Sequence, residues 1–432
     1  MQAPRLSDLF IMLHTHPPTL KLIPAEAVDS DAFRKSRYQP PQLTENELAQ
    51  QTNDLTLQAL ACGLSILEAN FAAIYLLDAD TRYLTLGPFC GAQTELADVG
   101  VRMLQQATVD LEALTGHVVT LTTADRVKQC NVPMDAAAAV CVPLVVQDTP
   151  IGTLWFSFDS PRVFDDSELM LIEMIAAMSA NYFAATFHGG KHLVDDQLIK
   201  MAQNWQQNRR LPINCSYAKW QVQGWHLDDA AISRNYYDCQ QSEHGISVSL
   251  AHSQGRSLEA LLSIGVVGNT LKRTVGVTSD PAEILERTNS CIWEGVAGEQ
   301  FADVLQLALD TDTGRVTYSS AGEIILLVVT SEDIEVLENI SPEIGIMDYG
   351  EYENRCHIMQ PGDFLVASTE CGFNRDRNWV DELQEITSAS KSKMTAAKLI
   401  DSIESIQCDH ETLRSIAWAK NDRAMLVMQY VG

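Results

Sequence analysis

Ten cysteines and ten histidines are the side chains in this sequence best suited to ligate metals or do nucleophilic chemistry. The cysteines are Cys62, Cys90, Cys130, Cys141, Cys215, Cys239, Cys291, Cys356, Cys371 and Cys408, and no two form a C-x-x-C pair. Zinc ribbons and redox dithiols need such close spacing, because two thiolates must reach one ion or each other. Several thiols lie in apolar runs, as Cys141 does in AAAAVCVPLVV, which predicts reduced, mostly buried residues rather than a disulfide framework. Among the histidines only His14 and His16 are close neighbours, and Pro17 beside them predicts a loop rather than a metal site. Taken by spacing alone, no set of residues announces an enzyme.

The bulk properties narrow the field further. A chain of 432 residues is right for two or three domains, and 46% hydrophobic with 20% charged residues is a globular balance. A formal net charge of −27 repels nucleic acid and anionic membranes unless a basic patch intervenes. The longest basic clusters are the pairs Arg209-Arg210 and Lys272-Arg273, so neither nucleic acid nor membrane is expected as a partner. The apolar stretch LFIML at 9–13 is too short for a signal sequence or a membrane span. The expectation is a soluble, cytoplasmic protein.

The elements that must position any site follow from patterning. Prolines punctuate residues 1–44, read as an N-terminal extension. Apolar residues at helical spacing then predict a helix from near Thr44 through Leu67. FAAIYLLDADTRYLTLGPFCG predicts a hairpin turning at Asp78-Ala79-Asp80, and AAVCVPLVVQDTPIGTLWFSF predicts a second strand pair. Asp165 and Glu168 form a capping-box pattern ahead of a long apolar helix. A polar helix, 194–212, follows; its Leu198, Met201 and Trp205 offer a short seam that serves either a connector or a dimer contact. From 213 onward, strand alternation around a helical DPAEILERTNSCIW (280–293) predicts two packed sheets with flanking helices.

The first half resembles the GAF domain over 45–188. The segment VPLVVQDTPIGTLWFSFDSPRVFDDSELMLIEMIAAMSANYFA carries the resemblance, with Pro143-Leu144, Gly152, Leu154, Phe164, Asp166 and Leu169 at the telling positions. The family implies an antiparallel sheet with flanking helices and a sensor that either binds a small ligand or only packs and dimerises. Cys130 in RVKQCNVP lacks the neighbouring histidine expected beside a covalently held chromophore.

The second half, 213–432, resembles the SpoIIE/RsbU branch of the PPM (type-2C-like) Ser/Thr phosphatases. GWHLDDAAISRNYYDC is similar to that family's G-G-D-F-Y-D segment, and LAHSQGRSLEALL to its G-D-V-S-G-K-G segment. DTDTGRVTYSSAGEIILLV, MQPGDFLVASTECGF and KNDRAMLVMQY supply three further landmarks in the family's order. The resemblance implies an α+β fold overall: a GAF domain joined by a helix, 189–212, to a PPM phosphatase-like α/β/β/α sandwich.

The same resemblance implies chemistry that these residues only partly keep. PPM phosphatases hold Mg²⁺ or Mn²⁺ on aspartates, and the ions activate the attacking water. At the four family metal positions this chain has Asn235, His252, Glu370 and Asn421. One carboxylate in place of four leaves about three formal charges uncompensated on two divalent cations. Asp238, Gly255 and Asp422 are retained nearby, and Ser233 and Arg234 replace the two glycines of G-G-D. A softer metal on His252, Glu370 and Asp238 is the alternative set. The expectation is therefore a catalytically inactive relative, a pseudophosphatase that binds or senses and needs no cofactor beyond any GAF ligand. The alternative is an active, GAF-regulated Ser/Thr phosphatase that uses Mn²⁺ or Mg²⁺. The implied partner is a regulatory phosphoprotein of the anti-sigma antagonist type, and the expected assembly is a homodimer.

Overall fold

A computed structural model describes residues 45–432 apart from 79, 92–99, 131, 147–148, 188–195, 210–213, 229–231, 243–244, 255–257, 297–300, 331, 338–340, 370–393 and 409–421. The expected N-terminal extension, 1–44, lies outside the described residues, as do Gly255, Glu370 and Asn421.

The first half is one six-stranded sheet. Helix α1 (Glu45–Leu67) leads into the hairpin β1 (Phe71–Leu77) and β2 (Tyr83–Gly91), followed by β3 (Val101–Met103). The hairpin turn is closed by its own chemistry: Asp78 Oδ1 accepts from the amides of Arg82 at 2.7 Å and Tyr83 at 3.0 Å. Next come α2 (Thr108–Leu114), β4 (Val119–Leu121), α3 (Ala124–Gln129), β5 (Ala138–Val146), β6 (Thr149–Phe158) and α4 (Asp166–Phe187). The strand order is β3-β2-β1-β6-β5-β4, antiparallel throughout. The predicted capping box starts α4: the Asp165 amide donates to Glu168 Oε2 at 2.9 Å and the Glu168 amide to Asp165 Oδ1 at 2.8 Å.

Helix α5 (Asp196–Arg209) connects the halves. The second half pairs a five-stranded sheet, order β15-β12-β11-β10-β9, with a six-stranded one, order β14-β13-β16-β17-β8-β7. Their strands are β7 (Asn214–Tyr217), β8 (Trp220–Asp228), β9 (Asn235–Ser242), β10 (Gly245–Ser253), β11 (Ala302–Leu309), β12 (Arg315–Ala321), β13 (Ile324–Val329), β14 (Ile334–Val336), β15 (Arg355–Ile358), β16 (Phe364–Thr369) and β17 (Asp422–Tyr430). Val248, Leu250, Leu305 and Leu307 from one sheet meet Val222, Leu326, Leu426 and Met428 from the other in an apolar core. Helices α6 (Leu258–Val275) and α7 (Pro281–Val296) cover the outer face of the five-stranded sheet. Helix α8 (Ala396–Cys408) covers the other sheet, where its Leu399 and Ile400 pack among Leu327 and Val329 of β13 and Val427 of β17. The result is the expected α/β/β/α sandwich.

The two halves share one continuous core. Ile66 of α1, Trp205 of α5 and Leu261 and Ile264 of α6 belong to a single buried cluster that also holds Phe156 and Ile175. Gly265 allows this approach, since a Cβ there would stand 2.9 Å from the Trp205 ring and 3.0 Å from Ile66. Polar contacts reinforce the seam: Tyr182 Oη donates to Glu259 Oε1 at 2.5 Å, and Asn269 Nδ2 to the Ser65 carbonyl at 3.2 Å. Leu198 and Trp205 are buried in this core and Met201 packs half-buried against it.

Candidate functional site

Asn235, His252 and Asp422 gather at one end of the sandwich because three strands begin or finish there. Asn235 opens β9, His252 lies near the end of β10, and Asp422 opens β17 on the facing sheet. Antiparallel register sets His252 directly opposite Asn235 on one side and Asp303 of β11 on the other. Directly paired residues project from the same face of a sheet, so Asn235, His252 and Asp303 share a face.

Asp422 is the centre of this arrangement and is only 2% exposed. Its Oδ1 accepts from Asn235 Nδ2 at 2.6 Å and from Ser233 Oγ at 2.6 Å. Its Oδ2 accepts from the Arg234 amide at 2.5 Å, with Arg234 Nε 3.4 Å away. His226 Nε2 stands 3.5 Å from Oδ1. Burial pushes the Asp422 carboxyl up, but the neighbouring His226, the Ser233 hydroxyl and the Arg234 amide outweigh it and hold the group below its ordinary range. The group is therefore a carboxylate at neutral pH.

An ionised Asp422 can only accept, and that fixes the protons around it. Asn235 presents Nδ2 to Asp422 and so turns Oδ1 toward His252, whose Nδ1 lies 2.8 Å away. His252 therefore carries its proton on Nδ1 and donates it. Ser233 gives its one proton to Asp422, so His226 Nε2, 2.8 Å from Ser233 Oγ, donates to that oxygen. The outcome is a relay of neutral and positive donors converging on one carboxylate.

The loop carrying these donors is fixed from the connecting helix. Gln206 of α5 is buried; its Oε1 accepts from the Ser233 amide at 3.0 Å, and its Nε2 donates to the Ser233 carbonyl. One side chain thereby satisfies both backbone groups of a buried residue.

Asp238 is not part of this cluster. Three residues beyond Asn235 on a regular strand, it projects from the opposite face of the sheet. There its Oδ1 accepts from the Cys239 amide at 2.8 Å and its Oδ2 from Gln240 Nε2 at 2.7 Å and Tyr236 Oη at 3.2 Å. His252 and Asp238, two members of the alternative metal set, are not brought together. Among the described residues, no group of three or more His, Cys, Asp or Glu side chains is placed to hold a metal ion.

Sequence reasoning overlooked His226, Gln206 and Asp303. Nothing in the spacing of His226 marks it, since only the pairing of β8 with β17 brings it near Asp422. Ser233 and Arg234 did carry a signal: two side chains rich in donors at positions where the resemblance implies glycines.

In the first half, buried Asp110 accepts from Thr153 Oγ1 at 2.7 Å and Trp155 Nε1 at 2.8 Å. Arg102 pairs with it at 3.2 Å and lies over the rings of Tyr75 and Trp155. The charge of this cluster is balanced within the chain, which suits a packing role. Cys130 sits half-buried beside the same core.

Residues 242–428 match the family model described as Stage II sporulation protein E (SpoIIE), and residues 50–182 match that of the GAF domain. The chain thus carries a GAF domain followed by a SpoIIE domain. Strands β7 and β8 extend the second domain's sheet ahead of the matched range. Among solved structures, the chain is similar to RsbX in complex with magnesium at 13% identity, covering 50% of this chain and 97% of that one, with a TM-score of 0.38. It is similar to the SiaA-PP2C domain of Pseudomonas aeruginosa at 14% identity, covering 48% and 84%, with a TM-score of 0.41. The RsbU and RsbW domains of a Mycobacterium tuberculosis protein match at 16% identity, covering 49% and 61%, with a TM-score of 0.40. No curated protein matches the chain. Among the described residues, no helix is long and apolar enough to cross a membrane.

Proposed function

We propose that this protein is a signalling regulator whose SpoIIE domain binds a protein partner rather than hydrolysing a phosphoester, with the GAF domain packed against it as the input. The observation that carries the reading is the Asp422 carboxylate, whose oxygens accept from Asn235, Ser233 and Arg234. The fold family implies divalent ions held by aspartates, and the described donors do not fit that group. A hard cation needs anionic oxygens directed at one point, whereas Asn235 directs an N–H at Asp422 and His252 directs an N–H at Asn235. The charge a metal would supply is replaced by protons and by Arg234.

The partner class this reading implies is a small regulatory phosphoprotein of the antagonist type found in partner-switching systems. The test is calorimetric titration with Mn²⁺ and Mg²⁺ alongside hydrolysis of p-nitrophenyl phosphate. Absence of both binding and turnover at millimolar metal is the expected result. Micromolar affinity with turnover that is lost in Glu370→Ala makes the protein a phosphatase with a rebuilt site.

A further inference from the structure

The segment 341–354, between β14 and β15, is held firmly yet exposes apolar side chains. At its base Ala302 and Ile344 exchange backbone hydrogen bonds of 3.0 and 2.9 Å, and the Gly322 amide donates to the Ser341 carbonyl at 3.0 Å. Asn289 of α7, fully buried, accepts from the Gly345 amide at 2.9 Å and donates to the Met347 carbonyl at 3.1 Å. At the far end Asn354 accepts from the Ala282 amide at 2.9 Å and donates to Asp280 Oδ1 at 2.7 Å. Between these anchors Ile344 and Tyr352 are buried, while Ile346, Met347 and Tyr349 are 43%, 38% and 71% exposed.

Single exposed apolar residues are ordinary on any surface. Three within four residues, on a loop fixed by a buried asparagine, are a different matter. The ordering entropy of the loop is met by folding, so an incoming partner does not have to supply it. The loop itself is acidic: Asp348, Glu351 and Glu353 are exposed, Glu343 is half-buried, and its first basic neighbour in sequence is Arg355 at the start of β15. Arg287 of α7, two residues before Asn289, pairs with Glu283 at 2.7 Å. An apolar centre inside a charged rim is the anatomy of a protein interface, and the sign of the rim selects the partner.

We propose that the loop 341–354 docks a protein segment carrying basic side chains around an exposed aromatic or aliphatic residue. A second copy of this chain is a poorer occupant, because it would bring one acidic rim against another. The base of the loop adjoins Ala302, next in sequence to Asp303 and across from Ser253, so the docked segment lies toward the end of the sandwich holding Asn235 and His252. The proposal does not depend on whether the Asp422 cluster binds metal.

The test is selection of peptides from a random display library on the full-length protein, with counter-selection on the Ile346→Ser/Tyr349→Ser variant. Both changes are at exposed positions, and a thermal melt checks that the variant folds; Glu351→Lys/Glu353→Lys serves as a second variant if it does not. The expected peptides carry net positive charge and an aromatic or aliphatic residue. By fluorescence anisotropy, one such peptide should bind at least tenfold more weakly to Tyr349→Ser and weaken with added salt. Failure to enrich any peptide, enrichment of neutral or acidic ones, or equal binding to both proteins would overturn the proposal. Loop-dependent dimerisation in sedimentation would also overturn it, by assigning the surface to a second copy.

Discussion

Asn235 Nδ2 lies 2.6 Å from Asp422 Oδ1, joining two sheets through an amide proton. Two carboxylates in these places would repel unless a cation lay between them, whereas an amide and a carboxylate satisfy one another directly. Every other described contact to Asp422 follows the same pattern, with a donor supplied by the chain.

Asn235→Asp therefore places a second carboxylate against a buried one. The expected loss of stability at neutral pH is about 2–4 kcal/mol, the order found when a buried charge loses its partner. Urea unfolding measures it, and a variant as stable as the parent would contradict the Asn235–Asp422 contact.

Acid sensitivity follows from the depressed carboxyls. Asp422 and Asp310, the latter held down by the amides of Asp312 and Thr313, are both lowered. A carboxyl depressed in the folded state contributes stability that is fully present above its unfolded pKa, about 4, and is lost as pH falls through the folded value. The melting temperature should thus decline below about pH 4. Asp422→Asn should flatten that decline as well as lower stability throughout; an unchanged acid slope would count against the assignment.

The shared core predicts coupled unfolding. Trp205→Ala removes a side chain buried between the halves and should cost about 3–5 kcal/mol. Differential scanning calorimetry should show a single main transition in the parent and separated ones in the variant. Separate transitions already present in the parent would mean that the seam contributes little.

The thiols should differ sharply in reactivity. Burial pushes Cys62 and Cys239 up to about 12. Cys356 is exposed, and Arg315, whose Nη2 lies 3.2 Å from its sulfur, holds it below its ordinary value. Among the described cysteines Cys356 should label first with a thiol reagent near pH 8, and Arg315→Ala should slow that step. Equal rates in the two proteins would remove Arg315 from the explanation.

Much of the architecture was legible because local chemistry and long-range packing agree. Asp78, the Asp165–Glu168 box and the apolar alternation of GISVSLAHS each specify an element without help from distant residues. The family resemblance pointed to Asn235 and His252. What they contact was not legible, because His226, Ser233 and Asp422 meet only through the pairing of β8 with β17 and the approach of β9. Gln206 was hidden for the same reason, since it lies on the connecting helix and its partner Ser233 on a loop of the second half. The inward use of Trp205 depends on Gly265, which carries no periodic signal of its own.

The most direct measurement is anomalous diffraction at the manganese edge from crystals grown in millimolar Mn²⁺. The account predicts no peak within coordination distance of Asp422, about 2.2 Å, with Asn235 still bonded to it. A Mn²⁺ peak on the Asp422 carboxylate, with Asn235 turned away, would contradict it.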